Sequence, residues 1–315
     1  MIVSIGEALI DLIQGPDGRY TAVPGGAPAN VAITVARLGG PAAFAGRLSG
    51  DSFGTRLRDR LADNQVDLDW AADASEPTTL AVASLDETGS ADYAFYLQGT
   101  ADWAWASGDL DALIDAAPAA LHYGSLAAAV EPGSREIERA TRQLAEAGST
   151  LLSYDVNCRP AVGFGREAER ERVERQLEPA HLVKASDDDL EWLHPGADVD
   201  EVAARWAGGI RFVLVTRGPD GVRLHRPHGA PIDVPSLAVE VVDTVGAGDA
   251  TCGALLTALH EAGALGRGLA GLTALSDDEW RDALRFATLV GGETCRRAGA
   301  EPPTREELAA LKTEA

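Results

Sequence analysis

The residues most suited to chemistry lie near the C-terminal end, in Asp243-Thr-Val-Gly246-Ala-Gly248-Asp249. This segment follows an apolar, β-like run from Leu237 to Val242 and opens a helix whose apolar face includes Leu255, Leu256 and Leu259. A glycine-rich strand-to-helix turn leaves several N–H groups unpaired at the positive end of the helix dipole, which suits a transferring phosphoryl group. Asp249 falls in the first turn of that helix, where its carboxylate could accept a proton from a hydroxyl beside the phosphoryl group. The same residues also read as an ordinary helix start, with glycines for tight packing and Asp249 stabilising the dipole by roughly 0.3–1 kcal/mol. A dinucleotide fingerprint would need a third glycine where Thr251 stands, and a Walker A loop would need Gly-Lys-Ser/Thr. Neither is present.

The elements that must position these residues alternate short apolar runs with amphipathic stretches, the rhythm of parallel βαβ units. Strands are expected at 2–5, 42–46, 119–123, 150–155, 180–184 and 211–216, and helices at 29–38 and 133–147, each ending at glycine. Capping boxes at Ser186-x-x-Asp189, Ser276-x-x-Glu279 and Thr304-x-x-Glu307 mark later helix starts. One region breaks the rhythm: 80–85 and 92–97 read as a hairpin around Asp86-Glu-Thr-Gly89, with Tyr93, Phe95 and Leu97 on one face. With the extended stretch 11–24 around Pro16-Asp-Gly18, the hairpin could form a small projecting sheet, a candidate lid. No internal repeat or low-complexity linker appears.

The chain has 315 residues and a formal charge of -22, with 49 acidic against 27 basic residues. Such a surface repels phosphate backbones and anionic headgroups, which argues against nucleic acid and membrane partners. Lys184 and Lys312 are the only lysines, leaving few candidates for Schiff-base chemistry or a phosphate-binding lysine. The scattered Cys158, Cys252 and Cys295 form no C-x-x-C pair and fit a reducing compartment. The first residues lack a basic n-region, and no uncharged run spans a membrane, so a cytoplasmic protein is expected. His225-x-x-His228 flanks Pro227 with poor spacing for a helical metal pair, and His122-Tyr-Gly-Ser125-Leu-Ala lacks the second glycine of a nucleophile elbow.

At the other end of the chain stand Gly25-Gly26-Ala-Pro-Ala-Asn30, Gly39-Gly40 and Gly46-Arg-Leu-Ser-Gly50-Asp51-x-Phe53-Gly54. Together with Asp243 to Asp249 and the following Gly253-Ala254, this pattern resembles the two signatures of the ribokinase-like, or PfkB, carbohydrate kinases. The resemblance extends to Pro77-Thr-Thr-Leu80, Asp155-x-Asn157-x-Arg159-Pro160, Val215-Thr-Arg-Gly218 and Arg296-Arg-Ala-Gly-Ala300, and is closest to the fructokinase branch. It implies a single three-layer α/β/α domain over 1–315 with a mostly parallel central sheet. The lid would be built from about 11–24 and 78–102, and the nucleotide-binding part from about 180–315.

The resemblance also implies roles. Asp249 would be the base, and the amides of Gly246, Ala247 and Gly248 the anion hole. Gly25, Gly26, Asn30 and Asp11 would meet the sugar. Tyr96 and Phe95 would either pack on its apolar face or merely stabilise the hairpin. Arg159 would stabilise phosphate charge or contact substrate. Thr216, Gly218, Gly221 and Ser186 would face ATP. Asp243, with carbonyls near Arg297 and Gly299, matches a monovalent-cation site and leaves room for potassium. Asp189 falls at the Mg2+-linked acidic position, although a capping box accounts for Ser186 and Asp189 without metal. The implied reaction is transfer from MgATP to a primary sugar hydroxyl, fructose first, with 2-keto-3-deoxygluconate or ribose as alternatives. A lid-mediated homodimer is expected with it. A non-catalytic sugar or nucleotide sensor on the same fold is the reading from another class.

Overall fold

The computed structural model describes residues 1–15, 17–85 and 91–314. Pro16 and the hairpin turn expected at Asp86-Glu-Thr-Gly89 lie outside the described residues. In chain order the strands are β1 (Ile2–Ile5), β2 (Leu9–Gln14), β3 (Tyr20–Gly25), β4 (Ala42–Ala45), β5 (Arg47–Ser49), β6 (Ala72–Ala74), β7 (Leu80–Leu85), β8 (Ala91–Tyr96), β9 (Ala120–Gly124), β10 (Leu151–Asp155), β11 (Leu182–Ser186), β12 (Phe212–Thr216), β13 (Val222–His225) and β14 (Ile232–Val234). An eight-stranded sheet runs in the order β14-β13-β12-β11-β10-β9-β1-β4. It is parallel from β4 to β12 and antiparallel at β13 and β14.

The strands are continuous apolar runs because both faces of this sheet are covered. Val3, Leu121, Leu152, Val183 and Val213 enter one hydrophobic cluster, and their neighbours Ile2, Ala120, Leu151, Leu182 and Phe212 enter another. Alternation of side chains along each strand makes this division obligatory. The helices Ala27–Arg37, Ala247–Glu261 and Asp277–Thr294 bury Val31, Leu255 and Val290 in the second cluster, while Gly133–Ala147 buries Ile137 and Leu144 in the first. A three-layer α/β/α sandwich results. All three capping boxes form: each Ser or Thr oxygen accepts from the third residue's N–H, and that residue's carboxylate accepts from the capping N–H.

The interrupting region forms a separate four-stranded sheet, β3-β2-β7-β8. The register pairs Asp11 with Val23 and Ala81, and Ala81 with Phe95. One face therefore carries Asp11, Ala81, Tyr93 and Phe95, and the other carries Ile10, Leu80 and Tyr96. The root of the second face packs through Ile10, Leu12 and Leu80 on the Ser52–Asp63 helix, which contributes Leu57 and Leu61.

Candidate active site

The run from Leu237 to Val242 is not a strand. β14 ends at Val234, and Pro235, which cannot donate a ladder hydrogen bond, releases the chain from the sheet edge. The segment continues as irregular backbone along a cavity of about 1090 Å³, which Leu237, Val241, Thr216, Gly218, Lys184 and Gly248 help to line. Val242 stays 63% exposed. Apolar composition alone looks like a strand here; the absence of a partner edge decides otherwise.

Gly246 is the N-cap of the Ala247–Glu261 helix, with φ 76°. A β-carbon there would lie 2.4 Å from that of Ala300, so both the left-handed backbone and the close approach require glycine. Asp243 pins the turn, because its Oδ1 accepts from the Val245 N–H at 3.0 Å and its Oδ2 from the Gly299 N–H at 2.8 Å. The expected anion hole is narrower than its sequence suggests. The Ala247 N–H donates to the Thr244 carbonyl at 3.3 Å, whereas the Gly246 and Gly248 N–H groups have no protein acceptor among the described residues.

Asp249 is buried in the first turn of this helix. The Asn30 side-chain amide donates to its Oδ2 at 2.9 Å. Burial pushes the Asp249 carboxyl above the usual carboxylate range, while the Asn30 hydrogen bond and the cations Lys184 and Arg159 pull against that rise. Asn30, expected beside the sugar, thus orients the carboxylate directly.

Asp11 faces the same space from β2. Its Oδ2 rests over Gly25, where a β-carbon would sit only 2.1 Å away. Burial pushes its carboxyl up to about 6, opposed by Arg159 and assisted by Asp249. Arg159 therefore stands within electrostatic reach of both carboxylates, although its only side-chain hydrogen bond among the described residues runs from Nη1 to the Cys158 carbonyl at 3.2 Å. Gly26, with φ 108°, caps the Ala27–Arg37 helix, and a β-carbon there would strike the Glu7 carbonyl at 2.4 Å. Tyr96 is a correction: the register turns it to the face opposite Asp11, where it is 60% exposed. Tyr93 and Phe95 hold the Asp11 face, with ring centroids 6.1 Å apart.

The cavity side of the site contains a pair that the sequence did not single out. Lys184 Nζ, from β11, reaches the Asp155 carboxylate of β10 at 3.1 Å, and both side chains are buried. Burial raises the Asp155 carboxyl to about 6 against the pull of Lys184. Burial disfavours charge on Lys184 as well, yet Asp155 and its acidic neighbours hold its ammonium above the ordinary range. A β-carbon on Gly248 would lie 3.1 Å from Lys184 Nζ, which places the ammonium next to the unpaired amide. Adjacent β10 and β11 could have revealed this pairing only through their register, Asp155 opposite Lys184.

Ser186 caps the Asp187–Leu193 helix. Asp189 has both oxygens engaged by backbone, Oδ1 with the Cys158 N–H and Oδ2 with the Ser186 N–H, each at 2.8 Å. Among the described residues no group of three His, Cys, Asp or Glu side chains could hold a metal. Thr216 and Gly218 line the cavity, with Gly221 at φ 89° closing their turn by accepting the Arg217 N–H at 2.8 Å. No helix among the described residues is long and apolar enough to cross a membrane.

Comparison with known proteins places the chain in a family. Residues 1–307 match the family described as pfkB family carbohydrate kinase. Fructokinase-1 of Oryza sativa subsp. japonica is 37% identical over 325 residues, covering 99% of this chain and 97% of the relative. The crystal structure of fructokinase with bound ATP from Xylella fastidiosa superposes with a TM-score of 0.90 at 30% identity, covering 99% of this chain and 98% of that one. A double mutant of the fructokinase from Vibrio cholerae O395, in its fructose-, ADP- and potassium-ion-bound form, gives a TM-score of 0.80 at 29% identity over 99% and 97% of the two chains. The chain belongs to the pfkB family of carbohydrate kinases, phosphotransferases that act on sugars.

Proposed function

We propose that this chain transfers the γ-phosphate of ATP to the primary hydroxyl of fructose, giving fructose 6-phosphate. The observation that carries the mechanism is the buried Asp249 carboxylate, held by Asn30 one residue beyond the unpaired Gly248 amide and open to the attraction of Lys184 and Arg159. A base must sit beside both the accepting hydroxyl and the phosphoryl group, and this helix start supplies both functions within four residues. The fructokinase relatives, which match over nearly the whole chain, support fructose as the acceptor.

In this reading Asp11 accepts hydrogen bonds from sugar hydroxyls, while Gly25 and Gly26 leave room for the ring. Phe95 and Tyr93 cover its apolar face. Asp249 takes the hydroxyl proton as the oxygen attacks phosphorus. The Gly246 and Gly248 amides, with Lys184 and Arg159, hold the negative charge of the phosphoryl group in flight. Thr216, Gly218 and Gly221 line the nucleotide side. The four-stranded sheet acts as a lid that excludes water once sugar is bound.

Mg2+ would enter with the nucleotide phosphates, since the described residues form no cage of carboxylates and the oxygens of Asp189 already serve two amides. Bound there, the ion would neutralise phosphate charge. Asp243, fixed against Gly299, suits the edge of a potassium site. Ile13, Tyr20, Tyr93 and Tyr96 leave the lid with exposed apolar surface, which supports pairing of two chains through their lids.

The test is ADP release with MgATP and fructose, ribose, glucose, 2-keto-3-deoxygluconate or adenosine, with and without potassium. Preference for fructose is expected. Another preferred acceptor would overturn the substrate, and no turnover with any of them would favour a sensor.

A further inference from the structure

The loop that abuts the anion hole is gripped from behind by charge. Glu301 receives Arg37 Nη2 at 2.7 Å and Arg60 Nη1 at 3.0 Å, so one carboxylate serves two guanidinium groups. The same arginines reach the neighbouring backbone: Arg60 Nη2 donates to the Ala300 carbonyl at 2.7 Å and Arg37 Nη1 to the Pro302 carbonyl at 2.8 Å. Arg37 Nε donates to Asn64 Oδ1 at 2.6 Å, and Asn64 returns a bond to the Arg60 carbonyl at 2.8 Å. The two arginines are largely withdrawn from water, at 20% and 17% exposed, while Glu301 is 37% exposed. Partly desolvated charges hold their geometry better than freely solvated surface pairs, and two cations that each bridge the Glu301 carboxylate and a backbone carbonyl leave the loop little freedom.

What the grip holds is next to the chemistry. Ala300 is the residue against which Gly246 turns, and Gly299 donates to Asp243, which fixes the turn before the helix. Arg37 closes the Ala27–Arg37 helix, whose Asn30 holds Asp249. One helix thus locates both the base, through Asn30, and the wall behind the unpaired amides, through Arg37 and Glu301.

We propose that Glu301 is a positioning residue for phosphoryl transfer: by binding Arg37 and Arg60 together it fixes the Gly299–Pro302 loop, and with it the direction of the Gly246 and Gly248 amides. This rests on the kinase reading above. Neutralising Glu301 leaves two guanidinium groups facing each other beside Ala300, with Arg56 adding to the field on Arg60. The loop then relaxes outward. The sugar side of the site, which Glu301 does not touch, stays as it was.

The experiment compares the wild type with Glu301→Gln and with the double variant Arg60→Met, Glu301→Gln. The readouts are kcat, KM for fructose and MgATP, Tm, and hydrogen exchange of the peptide containing Gly299 and Glu301, whose N–H groups donate to Asp243 and to the Gly299 carbonyl. Glu301→Gln should lower kcat about tenfold and leave KM for fructose within about twofold, the pattern of a contact that matters in the transition state. Its Gly299 and Glu301 amides should exchange faster than in the wild type. The double variant should regain Tm, because one of the facing cations is gone, but not kcat, because the loop is still unheld. An unchanged kcat in Glu301→Gln, unchanged exchange of that peptide, or recovery of kcat together with Tm would each overturn the proposal. A wild type with no sugar-kinase turnover would instead sink the reading it rests on, and the exchange comparison would still judge the positioning.

Discussion

The side-chain amide of Asn30 donates to Asp249 Oδ2 over 2.9 Å, joining residues 219 positions apart in the chain. The bond keeps one carboxylate oxygen occupied. It also favours the ionised form of a carboxyl that burial would otherwise protonate.

Removing the carboxylate tests its role as base. Asp249→Asn should lose about 10²–10⁴-fold in kcat, the usual contribution of a general base, with a smaller change in sugar affinity. Steady-state kinetics with isothermal titration of the sugar separates the two; wild-type kcat in this variant would remove Asp249 from the mechanism.

The pH profile follows from the raised carboxyls. Asp11 has its pKa raised to about 6, and Asp249 is raised in the same direction. Both must be ionised to accept protons or hydrogen bonds, so kcat/KM for the sugar should fall as pH drops below about 6. Asp11→Asn should reduce kcat/KM at neutral pH and flatten part of that acid limb. A profile flat down to pH 5 would contradict these assignments.

A second pH effect concerns stability. Asp102 follows the lid and accepts the Ala8 N–H at 2.9 Å, where the chain passes from β1 into β2; its second oxygen has no partner among the described residues. Burial raises its carboxyl to about 7, and burial raises that of nearby Glu7 to about 7 as well. The folded state thus binds more protons than the unfolded chain between the unfolded pKa near 4 and the folded pKa near 7, and stability is lost as pH rises through that window. Asp102→Asn removes its share of that loss and should gain on the order of 1–3 kcal/mol over the wild type at pH 8, with less gain at pH 5. Urea unfolding at the two pH values measures it; an equal effect at both would refute the linkage.

Breaking the buried pair in the cavity has a different signature. Lys184→Met leaves the Asp155 carboxylate buried without its cation and should cost about 3–5 kcal/mol, together with most of the activity. Lys184→Met with Asp155→Leu should recover much of the stability and none of the activity, because the ammonium beside Gly248 is still absent. Recovery of both would make the pair purely structural.

Glycine at 246 is required twice, by φ 76° and by the 2.4 Å approach to Ala300. Gly246→Ala must therefore displace the helix start, and kcat should fall at least about a hundredfold, the scale of losing an anion-stabilising donor. A kcat within a factor of two of wild type would show that the Gly246 amide takes no part.

Much of this molecule was legible in the chain because it is written locally. Apolar runs and amphipathic periods mark the central strands and helices, Ser-x-x-Glu and its relatives mark helix starts, and the two glycine signatures mark the ends of the site. These depend on residues a few positions apart, whose energies do not wait for the rest of the fold. The run from Leu237 to Val242 shows the limit, since apolar composition cannot supply a neighbouring strand edge. Tyr93 rather than Tyr96 faces Asp11 because pairing register, not residue type, sets the face. Lys184 against Asp155, Asn30 against Asp249, and Arg37 with Arg60 on Glu301 were decided by tertiary structure alone. Each brings together groups distant in the chain whose desolvation and pairing arise only when the layers close around them.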